Sequence, residues 1–271
     1  MGCPQSEPRS PVYVNAVARL DACCENVPVR LVNRGIGAAS RRLDKPELLA
    51  VFEPSARQAQ REAVGMSAIL AATLDNRGTY VDVGSNRGQV LREAVRVAPS
   101  ARHIAFEPIP ALAAEIVSEF PDVDCRRKAL GPSSGEAEFC YFTQLDGWSG
   151  LRRNPEISDE RGRPQFITVA VSTLDEELEG LAPNVIKIDV EGAELGVLMG
   201  GQEVLSESRP LLIFEHVVET ARMYGDPPTA IWDLLAESGY EVFAATGEGP
   251  VSRAEFAVST GVVNWLARPG F

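Results

Sequence analysis

No run of residues in this sequence stays apolar long enough to cross a bilayer. The opening Met1-Gly2-Cys3-Pro4-Gln5 lacks the basic-then-apolar layout of a secretory leader. Cysteine is sparse: Cys3, Cys23, Cys24, Cys125 and Cys140 are odd in number, scattered, and form no C-x-x-C pair. That excludes the usual zinc frameworks and a disulfide-stapled fold. These absences lead us to expect a cytoplasmic protein with no membrane partner. Lysine is rarer still, with Lys45, Lys128 and Lys187 beside twenty-three arginines. Positive charge as a whole is in deficit. The formal net charge is -12, which argues against nucleic acid as a main partner. The deficit is uneven: residues 1–75 carry nine Lys/Arg against eight Asp/Glu, whereas residues 76–271 carry seventeen against thirty.

What is present is material for a core. Of the 271 residues, 45% are hydrophobic, enough for one large domain or a domain with an appendage. Residues 1–10 are polar and Pro-rich and read as a frayed tail. Val12 to Cys24 and Lys45 to Leu74 carry apolar residues at helical spacing, with Pro54 dividing the second stretch. We read residues 1–75 as an N-terminal helical cap; its apolar positions also suit pairing with a second copy, so a homodimer is expected. From Thr79 the rhythm changes to short β-branched runs alternating with helices, the pattern of a parallel sheet covered by helices. The strands are expected at Thr79–Val83, His103–Phe106, Val123–Lys128, Val185–Asp189, Leu211–Phe214, Glu241–Ala244 and Val262–Ala267. The helices between them are expected at Gln89–Val97, Ala111–Glu119, Ala193–Leu205 and Thr229–Ser238. A further strand pair, Ala137–Phe142 and Phe166–Val171, brackets a polar stretch too long for a simple connection. It reads as a lid-like insertion around residues 143–165.

Two stretches carry the chemistry. Tyr80-Val81-Asp82-Val83-Gly84-Ser85-Asn86-Arg87-Gly88-Gln89 is a strand, a tight turn and a helix start. Gly84 and Gly88 let backbone come close to a ligand, and Asp82 can accept from an ammonium group. The G-x-x-x-G spacing departs from the G-x-G-x-x-G of dinucleotide binders. The next strand ends in Phe106-Glu107-Pro108, where an acid can bind both hydroxyls of a ribose. The second stretch, Val185-Ile186-Lys187-Ile188-Asp189-Val190-Glu191-Gly192-Ala193-Glu194, is a buried strand breaking into a helix. A lysine in an Ile/Val run is costly unless paired, and Lys187 and Asp189, two apart, share a face. Leu211 to His216 ends on Glu215 and an imidazole. Ligands of open α/β sheets sit beyond the carboxyl ends of the strands, where all these polar groups fall. Glu194 reads as a helix N-terminal acid favoured by the dipole.

These blocks resemble the FkbM family of S-adenosylmethionine (SAM)-dependent methyltransferases. The match runs through Val81–Gln89, Phe106-Glu107-Pro108 and Ile186–Glu194, with weaker matches at Ala129-Leu130-Gly131, Ser172-Thr173-Leu174-Asp175 and Ile213–His216. The resemblance implies a Rossmann-like, seven-stranded class I methyltransferase fold with a reversed last strand over residues 76–271. It also implies O-methylation of a small hydroxylated acceptor, a sugar or a secondary metabolite. It carries SAM binding to Asp82, Gly84, Asn86, Gly88 and Glu107, with Ser85, Pro108, Ala129 and Asp189 beside them. Ser85 and Arg87 stand where the pattern more often has Ala and Ile.

A sugar hydroxyl is a weak acid, so a base or a metal is required. His216, oriented by Glu215 or Glu191, is the expected base, with Lys187 a further catalytic candidate. The alternative is a divalent Mg or Mn held by Asp189, Glu215 and His216. Trp148, in the insertion, can close over the cofactor, stack on a sugar or anchor the insertion. Two other readings compete. An NAD-dependent oxidoreductase would use Glu107 in the same way, but the glycine spacing fits it poorly. A catalytically silent SAM-binding scaffold is argued against by the intact acidic cluster.

Overall fold

The computed structural model describes residues 54–143, 146–153, 163–259 and 261–270. The expected helix Val12–Cys24, the tail and the cap up to residue 53 lie outside the described residues. The chain divides into two compact units, Met1–Arg57 and Gln58–Phe271. Helix α1 spans Pro54–Thr73.

Ten strands follow: β1 (Thr79–Val83), β2 (Arg102–Phe106), β3 (Asp124–Arg126), β4 (Ala129–Leu130), β5 (Gly135–Tyr141), β6 (Gln165–Ser172), β7 (Val185–Ile188), β8 (Leu211–Glu215), β9 (Tyr240–Ala244) and β10 (Asn264–Pro269). The helices after α1 are α2 (Gln89–Val97), α3 (Pro110–Glu119), α4 (Leu174–Glu177), α5 (Glu194–Met199), α6 (Val218–Tyr224), α7 (Ala230–Glu237) and α8 (Arg253–Val258). Seven strands form one sheet in the order β3-β2-β1-β7-β8-β10-β9. The pairs β3–β2, β2–β1, β1–β7 and β7–β8 are parallel, while β10 is antiparallel to both β8 and β9. This is the Rossmann-like class I methyltransferase fold, with its reversed last strand inserted between β8 and β9. Among the described residues, no helix is long and apolar enough to cross a membrane.

Strand alternation assigns the two faces. Val81, Val83, Ile104, Phe106, Ile186, Ile188, Leu212 and Phe214 pack with α5, α7 and α8 through Val197, Leu198, Ile231, Leu235 and Phe256. The intervening Tyr80, Ala105, Val185 and Ile213 pack with α1, α2 and α3 through Leu70, Leu91, Ala94 and Ile116. Glu62 of α1 fixes that helix to the start of β10. Its carboxylate accepts from the backbone N–H groups of Val263 and Asn264 at 3.1 and 3.0 Å.

Two expected elements are broken. The single strand expected over Val123–Lys128 is β3, and its continuation β4 joins a separate three-stranded sheet, β4-β6-β5. The helix expected over Ala193–Leu205 stops at Gly200, where a Cβ would lie 2.2 Å from the Gly131 carbonyl oxygen. It resumes as a π-helical turn, Val204–Ser208. Between β5 and β6, the insertion forms a short 3-10 turn at Asp146–Trp148. It returns to β5 through a two-way backbone bridge between Cys140 and Gly150 at 2.9 and 3.1 Å. Residues 154–162 of the expected lid lie outside the described residues.

Candidate active site

A cavity of about 290 Å³ opens at the carboxyl ends of β1, β2 and β7. Its first wall is the turn after β1. Gly84 (φ 78°) can be only glycine, because a Cβ there would lie 1.8 Å from the carbonyl oxygen of Asp189. Ser85 and Asn86 continue the wall. Gly88 (φ 69°) caps α2 instead of lining the cavity.

The second wall is the tip of β2. Glu107 is buried, and each of its oxygens accepts one backbone N–H, from Asn86 and from Ile109, both at 2.8 Å. Burial pushes its carboxyl up to about 7, with those two N–H groups pulling the other way. The carboxylate is thereby held rigidly, and each oxygen keeps a free acceptor direction for a diol. Pro108 and Ala129 complete this side.

The third wall is the tip of β7. Register pairs Asp82 of β1 with Lys187, and Lys187 with Ile213 of β8. Alternation therefore puts Asp82, Lys187, Asp189 and Glu215 on one face. The Lys187 ammonium lies 2.9 Å from Asp189 and 3.7 Å from Asp82. Burial works to lower its pKa, but the two carboxylates win and hold it above the usual lysine range. Asp82 is buried beside Lys187; burial raises its pKa, while the Lys187 charge and hydrogen bonds from Lys187 and the Leu91 N–H act against that rise. Burial also acts to raise the Asp189 pKa, yet Lys187 and a hydrogen bond from Glu215 hold it below the ordinary value. Glu215 carries the proton of that pair, pushed up to about 11 by burial and by Asp189.

Asp189, Glu191 and Glu215 offer oxygens within 4.8 Å of one another, the one metal-like trio among the described residues. Glu191 lines the cavity, and its carboxyl is pushed up to about 8 by burial and by the charges of Asp189 and Glu194. Glu194 is the loop's buried anchor, accepting from the N–H groups of Val190 and Gly192 at 2.9 and 3.1 Å. Its fixed role agrees with its reading as a structural acid.

His216 is not part of this constellation, neither as base nor as metal ligand. It follows Glu215 directly, so it falls on the opposite face. It is 4% exposed and stacks on Phe256, with ring centroids 4.7 Å apart and planes at 14°. Burial lowers its pKa, as for an imidazole kept neutral in a core. Trp148 is 46% exposed and does not line the cavity, so it does not serve as a core anchor. Its neighbours Gly147, Ser149 and Leu151 do line it, together with Phe139 of β5. Gly147, Ser149 and Leu151 belong to the loop Asp146–Leu151 that the sequence reading singled out for Trp148; Phe139 was not anticipated, because it arrives through the β5–β6 pairing.

The methyltransferase FkbM domain matches residues 82–242. Methyltransferase sdnD of Sordaria araneosa is 29% identical over 204 residues, which is 63% of this chain and 76% of that protein. The 2-O-methyltransferase NoeI of Sinorhizobium fredii (strain NBRC 101917 / NGR234) is 30% identical over 174 residues, 57% of this chain and 70% of that protein. Among solved structures, methyltransferase FkbM from Methylobacillus flagellatus KT aligns with a TM-score of 0.45 at 15% identity, over 72% of this chain; the chain spans 44% of that structure. With the seven-stranded sheet, the glycine turn and the Lys187–Asp189–Glu191 loop in place, the match over most of the domain gives the assignment: this chain is a methyltransferase of the FkbM family.

Proposed function

We propose that the enzyme uses SAM and methylates a hydroxyl of a small acceptor, a sugar or a secondary metabolite. The observation that carries this reading is one cavity holding both a fixed diol acceptor, Glu107, and a carboxyl poised near neutrality, Glu191. The residues fit the cofactor. Glu107 receives the ribose hydroxyls, and Gly84, Ser85 and Asn86 offer close backbone approach; Asp82, expected to meet the cofactor directly, is fully buried against Lys187 and does not line the cavity. SAM supplies a methyl on a sulfonium that needs no further activation. Glu191 takes the acceptor proton as general base. Glu215, neutral across physiological pH, donates to Asp189 and holds it in place. The name of the relative NoeI, a 2-O-methyltransferase, supports oxygen as the acceptor atom.

A divalent ion is unnecessary in this scheme. The Lys187 ammonium already sits 2.9 Å from Asp189 and supplies the positive charge a metal would bring, while repelling one. EDTA is expected to leave turnover unchanged.

Calorimetry with SAM, S-adenosylhomocysteine and NAD tests the cofactor. SAM and S-adenosylhomocysteine are expected to bind. Glu107→Ala is expected to weaken both at least ~10-fold, since a charged acceptor to a diol contributes roughly 1.5–3 kcal/mol. Binding of NAD alone, or an unchanged affinity in the variant, overturns the reading. Mass spectrometry of a panel of hydroxylated acceptors checks the chemistry. Methyl groups found only on nitrogen or carbon refute O-methylation.

A further inference from the structure

We propose that Ser149 is a specificity-determining residue: its hydroxyl donates to a second oxygen of the acceptor, carried on the carbon next to the one whose hydroxyl is methylated. This rests on the methyl-transfer reading above and deepens it.

The first observation is a spare proton. Ser149 lines the cavity and is 8% exposed. Its Oγ accepts the backbone N–H of Phe142 at 3.0 Å. A hydroxyl has one proton to give and two lone pairs to offer. That contact uses a lone pair, so the proton points elsewhere, and it meets no acceptor among the described residues. Ser85, the other serine of the cavity, differs: its Oγ donates to the Asp82 carbonyl at 2.9 Å.

The second is place. Gly150, the next residue, runs against the proposed base: a Cβ there would lie 3.5 Å from that of Glu191. Two residues back, a Cβ at Gly147 would lie 3.9 Å from Nδ2 of Asn86, in the cofactor turn. The segment thus spans from cofactor to base, and Ser149 is nearer the base end.

The third is rigidity. Gly150 exchanges two backbone hydrogen bonds with Cys140 of β5, at 2.9 and 3.1 Å, and Phe142 holds the Ser149 oxygen. A donor fixed on both sides is preorganised for its ligand. Glu191, once ionised, only accepts, whereas the spare group of Ser149 donates. An acceptor with two adjacent oxygens gives one proton to Glu191 and receives the Ser149 proton on its neighbouring oxygen. A lone hydroxyl leaves the buried donor unmet, which counts strongly against the poorer ligand.

The test uses the full chain saturated with SAM and probes that share one ring, trans-cyclohexane-1,2-diol, trans-cyclohexane-1,4-diol and cyclohexanol. Methyl transfer is read as S-adenosylhomocysteine released. The 1,2-diol is expected to exceed cyclohexanol in kcat/KM by ~10-fold or more. Two equivalent hydroxyls account for only about 2-fold of that, the whole advantage expected for the 1,4-diol. In Ser149→Ala the 1,2-diol advantage should fall to about 2-fold, while S-adenosylhomocysteine binds as before by calorimetry. Ser149→Thr, which keeps the hydroxyl, should keep the advantage. Equal rates for the two diols, an advantage that survives Ser149→Ala or is lost in Ser149→Thr, or turnover of no probe overturns the assignment. Loss of S-adenosylhomocysteine binding in Ser149→Ala also overturns it, and moves the hydroxyl to the cofactor. An unaltered chain that binds S-adenosylhomocysteine yet fails these arms loses only the role of Ser149. One that does not bind S-adenosylhomocysteine loses the function proposed above.

Discussion

Glu191 occupies a backbone conformation that side chains other than glycine seldom adopt, at φ 56°. Strain of this kind persists only where the surroundings impose it. Here Gly192 follows at φ 100°, pressed so closely to Thr220 that a Cβ would lie 2.7 Å from its carbonyl oxygen. Glu194 holds the same loop through two N–H groups. The carboxyl of Glu191 is therefore aimed by its backbone, and its raised pKa places it where a base works best near neutral pH. A base must be ionised to accept a proton, so turnover should rise with pH and level off above about 8. Glu191→Gln should lower kcat by ~10²–10⁴ while the cofactor still binds by calorimetry. A glutamine variant with near-normal kcat would move the base elsewhere.

At the level of elements, strand alternation decides what each tip residue does. Lys187, Asp189 and Glu215 meet because the β7–β8 register pairs Lys187 with Ile213; His216, one residue on, joins Phe256 and Trp265 in the opposite core. His216→Ala should thus cost stability, ~2–4 kcal/mol for a buried ring that leaves a cavity, and should leave kcat close to normal. Urea unfolding and initial rates together check this. A stable His216→Ala enzyme with kcat lost ~10²-fold would return the imidazole to the chemistry. Much of the site was legible because its parts are contiguous in sequence: a glycine turn, an acid at a strand tip, a lysine in an apolar run. That His216 and Glu215 face opposite sides was legible in the sequence, since consecutive residues in extended backbone do not share a face. The contribution of Phe139 was not legible, because it depends on a long-range hairpin pairing that no local pattern encodes. The same holds for the helix break at Gly200, which is set by the distant Gly131 carbonyl.

At the level of the whole molecule, the site is a concentration of buried acids, and it should shape stability against pH. Glu107 and Glu194 have carboxyls raised to about 7, and Glu191 to about 8. Such groups bind protons more tightly in the folded state than in the unfolded one, so their contribution is lost as pH rises through the folded values. His103 and His216, lowered by burial, act in the opposite sense, but only below the ordinary imidazole range. The ligand-free protein should therefore melt at a lower temperature at pH 8.5 than at pH 6.5, measured by differential scanning calorimetry. A Tm that rises over that interval contradicts the burial of these carboxyls. One contact has a kinetic consequence as well. Gly84, in the turn that receives the cofactor, abuts the carbonyl of Asp189, two residues before the base. Packed backbone of this kind cannot shift on one side alone, so occupying the first loop sets the shape of the second. Substrate addition should then follow a compulsory order, cofactor before acceptor. A dead-end acceptor analogue should accordingly inhibit uncompetitively against SAM, and a noncompetitive pattern would mean that the two loops load independently.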